Sequence, residues 1–387
     1  MTWGRGPDLR PLGLRRGDLR PGLPPAARLL AVRQAIRFAT TGDGVRLAWA
    51  QRGNGPPLVR ASNWLTHIDY DLESPVWRHW IEFLTGHFGL LRYDERGCGM
   101  SDWKVADLSC SRWIEDLEAV VDAARPRTPF ALLGISQGAA TAIQYAVRHP
   151  EHVSHLILYG GYAAGWRHRD DPAALRAYES IVELMRHGWG KENPVFRQLF
   201  TARFVPGGSA EQLQWFNELC RRTTEPEVAA ALLEARAEVD VRKLLPAVQT
   251  PTLVLHATGD QVSPLANGHL LAQQIPGAEF VPLPSDNHVL LAEEPAWEQF
   301  REAVLEFTGR GALLVGKREA AVFRRLTQRE REILAGICAG YSNAGIGKRL
   351  FIAEKTVRNH VTRLFEKLGV HSRTEAVICA RDGGFGD

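Results

Sequence analysis

FALLGISQGAATAIQYAVRHP, Phe130 to Pro150, decides how the larger part of this chain folds. An apolar run ends in Gly134-Ile135-Ser136-Gln137-Gly138, and the residues after it carry apolar side chains at helical spacing. The pattern predicts a buried strand that turns sharply into a helix, with Ser136 at the tip of the turn. Glycines on either side permit close backbone approach, and the start of the helix favours developing negative charge. G-x-S-x-G by itself is a weak signal; a strand before it and a helix after it make it specific. A serine hydroxyl is a poor nucleophile at neutral pH, so the chemistry needs a base and a carboxylate to orient that base.

Outward from this stretch, short apolar runs bounded by Gly and Pro alternate with helical patterns, which predicts a largely parallel sheet covered by helices on both faces. Strands are expected at Ala35–Thr40, Val45–Ala50, Pro57–Ala61, Gly89–Tyr93, Phe130–Gly134, Val153–Tyr159, Thr252–His256 and Glu279–Leu283. The carboxylate candidate is Asp260, in PTLVLHATGDQVSP just past a strand. His288, in PLPSDNHVLL, follows the next strand and is the candidate base. Both would emerge at the sheet edge that carries Ser136, where open α/β sheets collect their ligands.

These features resemble the α/β-hydrolase fold over residues 35–309, and RYDERGCGMSDW, Arg92 to Trp103, resembles that family's loop after the fourth strand. Asp94, Arg96, Gly97, Gly99 and Ser101 are read there as turn-makers, not catalysts. The resemblance implies a mostly parallel eight-stranded sheet and a helical lid, about 160–245, over the serine. The lid holds Tyr162, Trp166, Trp189, Phe196, Phe200, Phe204, Trp215 and Phe216, most of them expected to pack the lid's own helices and the rest to line an apolar ligand pocket. One departure stands out. Where such hydrolases place His-Gly after the third strand, this chain reads VRASNWLTH, Val59 to His67. The oxyanion-hole donors are then expected from the amide of Gln137 and that of Asn63 or Trp64. Whether such a site turns over or only binds an ester-like ligand is left open by the residues.

A second unit follows. LTQREREILAGICAGYSNAGIGKRLFIAEKTVRNHVTRLFEKLGVHSRTEAV, Leu326 to Val377, contains a capping box at Thr327 and Glu330, a helix with Ile333, Leu334 and Ile337 inward, and a second helix capped by Ser342. A third helix runs from about Glu354 to Leu368, and a capping box at Ser372 and Glu375 opens a fourth. In the third, Val357, Val361, Leu364 and Leu368 recur on one face, with Lys355, Arg358, Asn359 and Thr362 opposite and Thr356 beside them. Arg or Lys for guanine and Asn for adenine is what a DNA major groove asks of a helix. Arg363, Lys367 and Arg373 flank that stripe and are expected on phosphates, with His360 bridging packing and phosphate. The segment resembles the LuxR-type helix-turn-helix of bacterial transcriptional regulators, which implies a homodimer on double-stranded DNA. It departs at Gly345 and Gly347, interior helix glycines, and at Ala353, where a capping Ser or Thr is usual.

Charge agrees with this division. Residues 1–39 carry eight Arg and two Asp, and residues 317–387 carry fourteen Lys or Arg and eight Asp or Glu; each sums to +6, so the total of +3 leaves −9 for the middle. The basic C-terminal unit is the part drawn to a polyanion. Five unpaired-looking cysteines and no secretory signal point to a cytoplasmic protein with reduced thiols. No membrane span, zinc spacing or cofactor motif is found, and His67, Asp69 and Asp71 in THIDYD read as a polar surface loop rather than a metal cluster. His256 is expected to be a hydrogen-bonded core residue, and Cys98 to have no strong activation. The expected organisation is a basic tail at 1–34, a hydrolase-like domain at 35–309, a linker at 310–325 and a DNA-binding domain at 326–387. The function that follows is a transcriptional regulator whose hydrolase-like domain senses or processes a small ligand, the alternative being an active serine esterase with a DNA-binding tail.

Overall fold

A computed structural model describes residues 34–169, 172–324, 326–370, 372–382 and 385; nearly all of the basic tail lies outside them. Eight strands form one sheet: β1 (Ile36–Thr40), β2 (Arg46–Arg52), β3 (Pro57–Ala61), β4 (Gly89–Tyr93), β5 (Phe130–Ile135), β6 (Val153–Tyr159), β7 (Thr252–Ala257) and β8 (Glu279–Leu283). Their spatial order is β1-β2-β4-β3-β5-β6-β7-β8. β1 and β2 pair antiparallel, as do β2 and β4, and every later pairing is parallel.

Strand alternation builds two cores. Leu58, Leu133, Ile157, Tyr159, Leu253 and Leu255 face one way, against α1 (Arg78–His87) and α9 (Pro295–Arg324). Their sequence neighbours Val59, Leu132, Leu156, Leu158 and Val254 face the other way, against α2 (Cys110–Ala124), α3 (Gly138–Arg148) and α8 (Leu265–Gln274). Side chains of period two therefore assign each helix layer to one face, and continuous apolar strands result because both faces are covered. Among the described residues between β6 and β7 stand the α-helices α4 (Pro172–Gly188), α5 (Val195–Thr201), α6 (Ala210–Thr223) and α7 (Pro226–Ala237). α9 continues to Arg324, so most of the stretch read as a linker is helical.

The C-terminal unit has its own core of Phe323, Leu326, Ile333, Leu334, Ile337, Ile346, Val357, Leu364, Ala376 and Ala380. Around it lie α10 (Gln328–Cys338), α11 (Asn343–Leu350), α12 (Glu354–Leu368) and α13 (Arg373–Asp382). Thr327 and Glu330 close a reciprocal capping box on α10, and Ser342 caps α11 through the Gly345 N–H. Ala353, before α12, supplies no such bond. α12 ends at Gly369, whose φ of 66° is left-handed and suits a residue without Cβ.

Candidate functional site

Ser136 sits at the junction of β5 and α3 with φ at 54°, a left-handed conformation unusual outside glycine. The glycines of the motif are required by packing: a Cβ on Gly134 would lie 2.6 Å from Ala139 Cα, and one on Gly138 would lie 2.9 Å from the Ser62 carbonyl oxygen. The turn is therefore held tight against both its own helix and the loop after β3, which keeps the hydroxyl at the carboxyl edge of the sheet.

Asp260 and His288 come together there. His288 Nδ1 and Asp260 Oδ2 are 2.6 Å apart, while Asp260 Oδ1 accepts from the amides of Val262 at 2.8 Å and Ser263 at 2.9 Å. Burial alone would raise the Asp260 pKa; its interactions with His288 and the Ser263 amide outweigh that and hold it below the usual carboxylate value. An ionised Asp260 only accepts, so Nδ1 of His288 carries the proton and donates it. Nε2 is then the basic nitrogen, and it is buried without a hydrogen-bond partner. Gly160, at φ 56°, leaves room for this pair, since a Cβ there would stand 3.1 Å from His288 Cε1. His256 is fully buried and bonded through Nε2 to the Ser263 carbonyl at 2.6 Å, as a core histidine.

The oxyanion segment differs from the simple expectation. Trp64 N–H donates to the side-chain oxygen of Gln137 at 3.0 Å, and Gln137 Nε2 reaches the Ser62 carbonyl oxygen at 3.5 Å. One candidate donor is thus occupied by a side-chain amide of the very residue whose backbone N–H is the other. Asn63 is buried, and its side-chain oxygen accepts from Arg60.

Above the serine lies a cavity of about 50 Å³ whose walls include Trp64, Gln137, Tyr162, Trp166, Phe200 and Phe204. Half of the eight aromatics singled out in the lid therefore face the cavity rather than only packing the lid. The wall is also less apolar than expected, since Arg169, Arg203 and Arg236 border it. Arg236, on α7, pairs with Glu95 at 2.7 and 2.9 Å, its guanidinium stacked 4.5 Å from the Trp64 ring and 5.2 Å from that of Trp113. Both partners are about 4% exposed, and burial holds Glu95 above its ordinary pKa despite Arg236. A larger groove, about 880 Å³, opens at the other end of the sheet beside Gly53, Pro57 and Thr128, remote from every triad candidate.

Asp94, Arg96 and Ser101 hold the loop after β4. Asp94 accepts from the amides of Ile68 and Met100, Arg96 pairs with Asp116 and Asp43, and Ser101 bonds the Asp94 carbonyl. THIDYD is not a surface loop throughout: Asp71 is 2% exposed and faces Arg92 at 3.6 Å, and its carboxyl is pushed up to about 6 by burial, opposed by Arg92 and Arg60. Alternate polar residues hid this because the two arginines that receive Asp71, Arg60 and Arg92, belong to β3 and β4, distant in sequence. Cys98 is buried, and burial drives its thiol well above the ordinary value. Among the described residues His149, Glu151 and His152 bring three donor atoms within 4.8 Å, but Glu118 and Tyr145 already bond those imidazoles.

On α12, Lys355, Thr356, Arg358, Asn359, Thr362 and Arg363 are all exposed, opposite buried Val357 and Leu364, with His360 half-buried. The two remaining expected contacts, Lys367 and Arg373, also have partners within the bundle. Lys367 Nζ is 2.7 Å from Glu330, the capping-box carboxylate of α10, and Arg373 bonds Asn343 and the Tyr341 carbonyl. They tie helices together, because each has a polar partner across the bundle that helical periodicity does not reveal.

Comparison with known proteins agrees with both halves. Residues 79–295 match the serine aminopeptidase S33 family, and residues 324–380 match the luxR family of bacterial regulatory proteins. A pimeloyl-acyl-carrier-protein methyl ester esterase of Nitrosomonas europaea is 27% identical over 254 residues, 64% of this chain and 94% of its own length. The transcriptional regulatory protein DegU of Brevibacillus brevis is 51% identical over 53 residues, 14% of this chain and 22% of its own. A hydrolase structure from Pseudomonas aeruginosa superposes with a TM-score of 0.59 at 27% identity, covering 71% of this chain and 98% of that one. With a sheet, an elbow serine and a helix-turn-helix each in place, the chain belongs to the serine aminopeptidase S33 family of α/β hydrolases and carries a DNA-binding domain of the luxR family at its C-terminal end.

Proposed function

We propose that this protein is a DNA-binding transcriptional regulator whose hydrolase domain receives a small ester-like ligand at Ser136 and passes its presence to the C-terminal helices. The observation that carries this reading is a pair of sites in one chain: a cavity over an elbow serine, and an exposed cationic face on α12. In this reading Ser136 is the nucleophile, His288 takes its proton at Nε2, and Asp260 orients and stabilises the imidazolium. The amides of Gln137 and Trp64 receive the oxyanion, and the second becomes free only when the Gln137 side chain moves. Turnover is consequently slow, and occupancy of the cavity is the signal. On DNA a homodimer sets α12 in the major groove, with Lys355, Thr356, Arg358, Asn359 and Thr362 toward base edges and Arg363 toward phosphate. A ligand changes DNA affinity only by binding one state of the dimer better than the other.

The Asp260–His288 bond favours a second reading, a working esterase with a DNA-binding tail. Selection of bound sequences from random DNA, followed by anisotropy titration of the winner with and without short-chain esters, tests the first. Ester-dependent DNA affinity that persists in Ser136→Ala supports sensing. DNA affinity indifferent to every ester, together with rapid turnover by wild type, supports the second.

A further inference from the structure

Among the described residues, two of the three arginines on the cavity wall have no counter-ion. Arg203 Nη2 donates to Tyr178 Oη at 3.2 Å and to the Gln261 carbonyl at 2.8 Å, and the guanidinium lies 5.0 Å from the Tyr178 ring centre. Arg169 Nε donates to the Ala164 carbonyl at 3.1 Å, with its guanidinium 5.2 Å from the Tyr162 ring centre. All of these partners are neutral. Arg197, on α5, likewise bonds only backbone carbonyls, whereas other lid arginines are paired: Arg186 faces Glu234 at 2.9 Å, Arg221 and Arg222 each face Glu218 at 2.7 Å, and Arg236 is neutralised by Glu95. Among the described residues no carboxylate lines the cavity. A guanidinium carries five donors in a fixed fork, so most N–H groups of Arg169 and Arg203 remain for a ligand. Half-buried between aromatic rings, two such cations beside a nucleophile create a local positive potential that a neutral ester does not use.

Resting on the assignment of Ser136 as the nucleophile, we propose that the cavity takes an ester or lactone that also bears a carboxylate, the carboxylate held by Arg169 and Arg203 while the reacting carbonyl reaches Ser136. The cavity of about 50 Å³ limits the unmoved site to a chain of few carbons. Bidentate carboxylate recognition orients the acyl chain as well as binding it, so the anion contributes to how the carbonyl is presented.

The experiment compares mono-p-nitrophenyl glutarate with p-nitrophenyl butyrate on the full-length protein. Wild type is expected to favour the anionic ester in kcat/KM, and Arg169→Gln/Arg203→Gln should lower the ratio of the two by about 10-fold or more, since hydrogen bonds to charged groups are the strong ones. Arg203→Lys, which keeps charge but not the fork, should retain part of the preference and guards against misfolding. A ratio unchanged in the double variant overturns the proposal. Should wild type hydrolyse neither ester, the nucleophile assignment falls separately, and the anion site is read by melting temperature: monomethyl glutarate should stabilise Ser136→Ala more than methyl butyrate does. Loss of that difference on adding the two Arg→Gln changes supports the site; equal shifts, or none, overturn it.

Discussion

Replacing Gln137 with leucine should make this protein a faster hydrolase. In the resting site the Trp64 N–H is held by Gln137 Oε1 at 3.0 Å, whereas the amide's other contact, Nε2 to the Ser62 carbonyl, is stretched to 3.5 Å. A substrate carbonyl can take the Trp64 N–H only after that first bond breaks. Exchange of one neutral hydrogen bond for another costs about 0.5–1.5 kcal/mol net, and about 1–3 kcal/mol when the displaced oxygen finds no new partner in a buried site. At roughly 1.4 kcal/mol per decade, the side chain therefore holds kcat/KM down by about 2- to 10-fold in the first case and by as much as ~100-fold in the second. The upper value approaches the ~10²- to 10³-fold attached to a missing oxyanion donor. Leucine removes the competing oxygen and leaves the Gln137 backbone amide in place, because that donor belongs to the main chain at the start of α3. Gln137→Glu should act the other way, with a carboxylate that binds Trp64 N–H more firmly and repels an oxyanion. The assay is initial-rate release of p-nitrophenol from p-nitrophenyl butyrate, with Ser136→Ala as background. Equal or lower kcat/KM in Gln137→Leu, at unchanged melting temperature, would refute the idea that this side chain competes with substrate.

Arg236→Met should destabilise the hydrolase domain by about 3–5 kcal/mol, because it strands Glu95 in a site about 4% exposed; urea unfolding measures this, and Arg236→Met/Glu95→Met should recover much of it. Asn359→Ala should relax discrimination at one base pair by about 1–3 kcal/mol, whereas Arg363→Ala should weaken every sequence alike and flatten the salt slope by about 0.9; titrations on matched and mismatched duplexes at several salt concentrations separate the two. In the DNA-binding unit Gly345→Ala should stabilise by about 1 kcal/mol, since the nearest atoms to a new Cβ lie at 3.5 Å. Gly347→Ala should destabilise instead, its Cβ arriving 2.8 Å from the Ile352 carbonyl oxygen, and thermal melts of both variants decide the point.

Local pattern was enough for much of this molecule. Apolar runs placed the strands to within a residue or two, as at Gly89–Tyr93 and Val153–Tyr159, because a strand buried on both faces must be continuously apolar. Capping residues located α10 and α11 for a similar reason: Thr327, Glu330 and Ser342 satisfy backbone N–H groups only a few residues away. Contacts across large sequence separations were not legible in this way. Gln137 finds Trp64 across 73 residues, and Arg236 finds Glu95 across 141, between Trp64 of the loop after β3 and Trp113 of α2. Lys367 and Arg373, read from the sequence as phosphate contacts, also bond Glu330, Asn343 and the Tyr341 carbonyl within the bundle, partners that the sequence did not reveal. Periodicity reports which face of an element is buried but carries no information on which polar group another element brings to it. The sequence alone thus determined an elbow serine in an α/β sheet and a basic helix in a second unit. Only the tertiary structure decided that the Trp64 N–H is already taken by Gln137 and that, among the described residues, two arginines without counter-ions border the cavity beside Ser136, because burial and pairing of polar groups depend on the assembled neighbourhood and not on the chain's local order.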